Sequence, residues 1–270
     1  MTLETALRLS GALVAASSLF ISVEYAVLAR AGFFAASGML DWEALSTSRR
    51  WTSSGRLAAV LRSVFAHKPF TALLMLQAAC SLAIGLGVFL GAFVLAGIGC
   101  LGWYIIGVLC AVRHPFGRDG ADEMVLLLTV GLTVAFLVPS RSAKVIAVLF
   151  VCAQLTLSYV VAGLSKLRSR AWMREGVLGG ILSTEAYGRM PRVGRWIRSH
   201  RRFDLAAGLV VVALEVAYPA VLVLPLSYAS LWLLAMLGFH FATAVVMGLN
   251  TFFFVFSGAL VLMYWLVVAY

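Results

Sequence analysis

Gln154-Leu155-Thr156-Leu157-Ser158-Tyr159-Val160-Val161-Ala162-Gly163-Leu164-Ser165-Lys166-Leu167, with Trp172 shortly after it, closes a long apolar run that carries a polar stripe. Positions 154, 158, 162 and 166 are four apart. Gln154, Ser158, Ala162 and Lys166 therefore follow one slowly turning line along a helix. Gly163 lets another backbone come close. Such a line on a membrane helix has to find partners inside a bundle or reach an interface. Two readings of Lys166 stand at this point. It anchors the helix end by stretching its ammonium to the interface, or it is held partly out of water, where an amine is a usable base.

The composition sets the class. Of 270 residues, 63% are hydrophobic and only 12% charged, against about 25% charged in a soluble domain. The chain reads as an all-α, polytopic integral membrane helix bundle, a single domain over residues 1–270. The net charge of +10 then speaks of topology and anionic lipid rather than nucleic acid. Cys80, Cys100, Cys110 and Cys152 lie in apolar runs with no metal-ligand spacing. They read as small apolar residues, and no metal is expected.

About eight segments have the length a bilayer requires: 9–29, 70–86, 92–112, 124–138, 144–167, 205–224, 228–249 and a last one ending at Tyr270. The first lacks a basic stretch followed by a small-residue cleavage site, so it is not read as a removable signal peptide. Gly87-Val88-Phe89-Leu90-Gly91 is expected to break the second segment from the third. Residues 55–67 place Leu57, Val60, Leu61 and Val64 on one side and Arg56 and Arg62 on another, which suits an interfacial helix. Residues 191–202 do the same, with Arg192, Arg195, Arg198 and Arg202 opposite Val193, Trp196 and Ile197. No internal repeat, broken helix or attached soluble domain is evident in the sequence.

With eight spans, one face carries 18 of the 21 Lys and Arg residues, and the other carries only Arg8, Arg141 and Lys144. The expected location is the cell membrane, with the basic loops cytoplasmic and both termini outside. Anionic lipid is the expected partner of the basic face.

Four titratable groups lie within or at the edges of the spans: Glu24, Lys166, Glu215 and His240. A charge at membrane depth costs about 2.5–3.5 kcal/mol, so each is expected to face the bundle interior. Glu215 is the strongest signal because it sits mid-span. It is either a hydrogen-bonded structural group or the partner of Lys166 or His240 in a shared cavity. His240 is either an interhelical hydrogen-bonder or a catalyst. An ion pair between Glu24 and Lys166 is also open. In the loop before the fourth segment, Asp119, Asp122 and Glu123 either cap a helix or bind a divalent cation. Arg113, His114 and Arg118 form a set able to hold a carboxylate or bicarbonate.

Ala162-Gly163-Leu164-Ser165-Lys166-Leu167, with Tyr159 before it and Trp172 after it, resembles the A-G-x-x-K-L…W segment of the vitamin K-dependent γ-glutamyl carboxylases. It also resembles their smaller bacterial relatives, the horizontally transferred transmembrane (HTTM) family. Gly117-Arg118-Asp119-Gly120, Glu215 with Pro219, and His240 with Asn250 to Phe254 follow in the order of that family. Together these pieces cover most of the chain. The resemblance implies a membrane enzyme in which Lys166 deprotonates a reduced, vitamin K hydroquinone-like membrane quinone, the expected cofactor. Glu215 and His240 position the quinone or move protons. Arg113, His114, Asp119, Gln154, Ser158, Tyr159 and Trp172 are the implied substrate-binding residues. The implied partner is a secreted or maturing peptide, and the implied reaction is a carboxylation or a related modification. Two departures accompany it. The large soluble domain of the animal carboxylases has no counterpart, and the charge count puts Lys166 on the cytoplasmic rather than the outer face. The alternative class is a non-catalytic protein that binds lipid or quinone, or a small transporter.

Overall fold

A computed structural model describes residues 1–36, 38–47, 52, 54–114, 118–185 and 187–270. Arg49 and Arg50 of the charge count and Gly117 of the loop motif lie outside these residues. Helices follow one another with no strand among the described residues: α1 Leu3–Arg30, α2 Trp42–Ser46, α3 Gly55–Phe65, α4 His67–Leu90, α5 Phe93–Arg113, α6 Gly120–Leu137 and α7 Arg141–Leu167. A π-turn at Ala171–Glu175 leads to α8 Leu178–Ile181, α9 Pro191–Ser199 and α10 Arg201–Val216. A 3-10 helix, Tyr218–Leu222, then leads to α11 Leu226–Met247 and α12 Asn250–Ala269. Seven of these helices (α1, α4, α5, α6, α7, α11 and α12) are long and apolar enough to cross a membrane. The chain is a multi-pass helical membrane protein.

The sixth expected span is broken. Its helix stops at Val216 and a 3-10 helix completes it. Pro219 is the cause: it has no N–H to donate to the Glu215 carbonyl, and its ring collides with that carbonyl. Sixteen α residues and five 3-10 residues still reach roughly 34 Å together, about the thickness of the hydrocarbon core. The break leaves Glu215 in the last turn of α10.

The contacts group the chain into two compact units, Met1–Leu13 with Val145–Tyr270, and Val14–Lys144. In the second of these, α4, α5 and α6 pack through small residues. The turn between α4 and α5 falls at Gly91, whose φ of +71° is the left-handed conformation that glycine adopts freely. The helix continues through Gly87, contrary to the expected break. A Cβ on Gly87 would lie 2.5 Å from the Ala96 nitrogen, so this glycine serves the packing of α4 on α5 rather than the turn. An aromatic floor of Phe34, Trp42, Phe65 and Phe70 closes the unit, with Leu61 of α3 packed into it. Val64 packs against the same floor while Leu57 and Val60 stay exposed. The apolar side of α3 is thus divided between protein and surroundings.

In the other unit the basic connection 168–203 is folded. Gly194 and Ile197 are the buried face of α9, and a Cβ on Gly194 would lie 2.5 Å from the Leu182 carbonyl. Trp196 does not join that face. It is 52% exposed beside the arginines and packs on His200 and Phe203. At 40° from Arg192 on a helical wheel it sits on the edge of the charged face, a position that counting apolar residues cannot separate from the core. The four cysteines are free thiols.

Candidate active site

The site begins with the helix break. Because α10 ends at Val216, Glu215 is held at its terminus with its side chain only 5% exposed. Lys166 occupies the last turn of α7. Its Nζ donates to Glu215 Oε1 and Oε2, both at 2.6 Å. Gly163, one turn earlier, makes that reach possible: a Cβ there would lie 2.8 Å from the Val216 nitrogen and 2.9 Å from Glu215 Cβ. Glycine lets the two backbones meet, and the last turn of α7 then delivers Lys166 onto Glu215. Trp172, on the π-turn, lies alongside, with the ammonium 5.3 Å from its ring centroid, a cation–π distance. The indole also lies over Gly208 of α10, where an added Cβ would sit 3.7 Å from it. The lysine side chain is 22% exposed, so the carboxylate is the buried member of the pair and the ammonium lies nearer its rim.

A second pair lies two turns back along α7. The Tyr159 hydroxyl and His240 Nε2 are 2.6 Å apart, and both residues are buried. Tyr218, which opens the 3-10 helix, packs on the Tyr159 ring at 4.4 Å. Phe256 stacks on the imidazole at 4.4 Å and Phe252 lies 5.1 Å from it. Among the described residues, His240 Nδ1 and the Tyr218 hydroxyl are buried without a hydrogen-bond partner. If Tyr159 donates to Nε2, Nδ1 carries the proton and presents a donor; if Nε2–H donates to Tyr159, Nδ1 presents an acceptor. Down the seam between α7 and the broken sixth segment run Lys166 with Glu215, Gly163 with Val216, and Tyr159 with Tyr218.

The packed stripe of α7 is Val148, Val151, Cys152, Leu155, Tyr159 and Gly163, one residue on from the polar stripe 154, 158, 162, 166. The site draws Lys166 from the polar stripe and Tyr159 and Gly163 from the packed one. Gln154 and Ser158 are half-buried and enter neither pair. Glu24 is exposed on α1 rather than turned inward. It lies six residues from the Arg30 end of that helix, which is about 9 Å and within reach of the interface. The carboxylate that Lys166 meets is Glu215.

The loop residues form a separate set in unit Val14–Lys144. Arg113 is fully buried. Its Nη1 donates to the Leu40 carbonyl at 3.0 Å, and Nε and Nη2 donate to those of Phe65 and Phe34, each at 3.4 Å. Its guanidinium lies 4.1 Å from the Phe70 ring centroid. The fork is thus filled by backbone. Asp119 caps α6, accepting from the Ala121 nitrogen at 2.7 Å, while Asp122 Oδ2 accepts from the Asp119 nitrogen at 2.9 Å. Arg118 pairs with Glu123 at 2.7 Å. His114 stands edge-on to Tyr25 at 6.1 Å. Among the described residues, no three His, Cys, Asp or Glu side chains converge on one point.

Two polar groups escaped the sequence reading. Asp204, in the first turn of α10, is buried, and both its oxygens accept from the Gly179 nitrogen at 3.2 Å. Its only sequence signal was an acid closing a run of arginines. Tyr218 precedes Pro219, and that Tyr-Pro step marks the helix break. An apolar groove of about 570 Å³ lies in the unit Met1–Leu13 with Val145–Tyr270, lined by Leu233, Leu234 and Leu237 of α11 and Phe253, Ser257 and Leu260 of α12. No family model, no curated protein and no solved structure matches the chain.

Proposed function

We propose that the chain is an integral membrane enzyme of the vitamin K-dependent carboxylase-like superfamily, an HTTM-type protein that uses a membrane quinol to modify a peptide or small molecule. The observation that carries this reading is the Lys166–Glu215 pair, with Nζ 2.6 Å from both carboxylate oxygens in an otherwise apolar seam. A lone charge there would be costly, but the pair is neutral as a unit and able to pass one proton. Trp172 screens the ammonium from the surroundings, and Gly163 fixes the spacing.

The residues present fit a reduced quinone on one count. His240 Nδ1 and the Tyr218 hydroxyl are buried and unpartnered among aromatic rings, the surroundings that an aromatic ring bearing oxygens requires. These two groups would hold its oxygens. When bound, a reduced quinone supplies the electrons for reaction with oxygen. The chain's own part is to accept a proton at the Lys166–Glu215 pair and to set hydrogen-bond direction through Tyr159 and His240. In the same reading the basic loops face the cytoplasm, the arginines of α9 meet anionic lipid, and a maturing secreted peptide is the substrate.

Two observations favour a second reading, a non-catalytic quinone or lipid carrier. The sixth segment is broken at Pro219, as helices are where transporters bind their cargo. The 570 Å³ apolar groove falls in the size range of ligand pockets, about 300–1,000 Å³. Oxygen uptake by the purified protein with a panel of reduced quinones, wild type beside Lys166→Ala, separates the readings. Uptake that requires Lys166 supports the enzyme. Quinone binding with no uptake above that of Lys166→Ala sinks it and leaves the carrier.

A further inference from the structure

The unit Val14–Lys144 contains a polar feature that the Lys166 chemistry does not use. Gln77 lies ten residues from the start of α4 (77 − 67) and Trp103 ten residues from the end of α5 (113 − 103). At 1.5 Å per residue each is about 15 Å from the helix ends that flank the Arg113–Asp122 connection. That depth is about half of a hydrocarbon core roughly 30 Å thick. Both side chains are buried, Gln77 at 1% and Trp103 at 2% exposure. Among the described residues, neither Gln77 Oε1 nor Trp103 Nε1 has a hydrogen-bond partner. One is an acceptor and the other a donor, and the large majority of buried side-chain polar atoms have a partner, protein or ordered water.

Both line a single small cavity, whose other polar walls are Tyr25, Arg118 and Asp122. Arg118 and Asp122 belong to the connection and the first turn of α6, so the cavity runs from the basic end of the helices toward mid-depth. Its free space is that of about one water. The occupant must accept from the indole and donate to the amide oxygen, which excludes hydrocarbon and any group that only donates or only accepts. A cation does not suit it: among the described lining residues Asp122 is the one carboxylate, and its Oδ2 already accepts from the Asp119 nitrogen. Flipping the Gln77 amide only exchanges an acceptor for a donor, and water serves either.

We propose that this cavity is a water-binding inlet, with one resident water bridging the Gln77 side-chain amide and the Trp103 indole N–H at the middle of the membrane. It brings water halfway along this helix group, from the end that carries Arg118 and Asp122. The inlet is independent of the Lys166 chemistry and stands or falls apart from it.

X-ray radiolytic hydroxyl labelling of the full chain in nanodiscs tests the proposal, because radicals formed from a bound water oxidise the side chains beside it. Trp42, 4% exposed and packed on Phe65 and the other residues of the aromatic floor rather than on the cavity, is the buried control. Trp103 is expected to oxidise severalfold faster than Trp42 although it is the more buried. Its rate should fall to that of Trp42 in Gln77→Leu, with Trp42 itself unchanged. A Trp103 rate no greater than that of Trp42 in the wild-type protein overturns the proposal, as does a rate that Gln77→Leu leaves unaltered. Should Gln77→Leu fail to fold, the wild-type comparison decides alone.

Discussion

Replacing Lys166 by Met keeps the length of the side chain and removes its charge, leaving the Glu215 carboxylate at 5% exposure with no cation. With the charges about 3 Å apart, an effective dielectric of ~20 gives an attraction of roughly 5 kcal/mol. Removing one member of a buried pair costs about 3–5 kcal/mol, because the survivor stays desolvated. The exposure of the two side chains makes the costs unequal. Lys166→Met strands the deeply buried partner and should cost about 3–4 kcal/mol. Glu215→Gln strands an ammonium that is already 22% exposed. That group can stretch toward the interface, and the new amide still accepts a hydrogen bond, so its cost should be about 1–2 kcal/mol. The double substitution should cost less than the sum of the singles by at least about 1.5 kcal/mol, the signature of direct coupling. Denaturation by SDS from dodecylmaltoside micelles, followed by tryptophan fluorescence on all four proteins, measures the cycle. Equal costs for the two single variants would refute the argument from burial. Additivity within about 0.5 kcal/mol would refute the pair itself.

Three further outcomes follow from the same geometry. Gly163→Ala places a Cβ 2.8 Å from the Val216 nitrogen; it should destabilise by about 1–3 kcal/mol in the same SDS titration and lower Lys166-dependent oxygen uptake, whereas an unchanged midpoint would show that α7 and α10 are not in contact there. Tyr159→Phe leaves both imidazole nitrogens of His240 without a hydrogen-bond partner among the described residues and should cost about 1–3 kcal/mol, with Tyr159→Phe/His240→Leu recovering part of the loss because no orphaned imidazole nitrogen remains; thermal midpoints of the two variants and the wild type check it. Asp119→Ala removes the acceptor of the α6 cap and should cost about 1 kcal/mol, while Asp119→Ser should restore most of it, read as thermal midpoints in detergent.

Much of the site was legible because its residues are expensive where they stand. Lys166, Glu215 and His240 are polar in apolar runs, and that contrast alone singles them out. Their pairing was not legible. The sequence left Glu24 and Glu215 both open as partners of Lys166, and Lys166 and His240 both open as partners of Glu215, and helix periodicity says nothing about which helix a stripe faces. Arg113 shows the same limit from the other side. A basic residue at a span end beside His114 and Arg118 reads as an anion-binding loop, yet its fork is filled by three carbonyls brought from residues 34, 40 and 65. Gly87 reads as a turn and turns out to be a packing contact, because a missing Cβ serves both purposes and sequence does not distinguish them.

By itself the sequence determined the environment and the class: the hydropathy of whole segments decides that they cross a membrane as helices, since no other backbone can satisfy itself there without closing a barrel. It also offered Asp119 as the cap of α6, because a cap rests on the chemistry of one or two residues, whereas the break at Pro219 and the Gly248 end of α11 emerged only in the structure. Only the tertiary structure decided that Lys166 meets Glu215, that Tyr159 meets His240, and that Gln77 shares a cavity with Trp103. Each of those pairs spans 26 to 81 residues of chain (103 − 77 to 240 − 159). Such contacts are set by the close approach of helices at small residues such as Gly163, and by the requirement that a polar group buried in hydrocarbon finds a partner from another helix or a bound water.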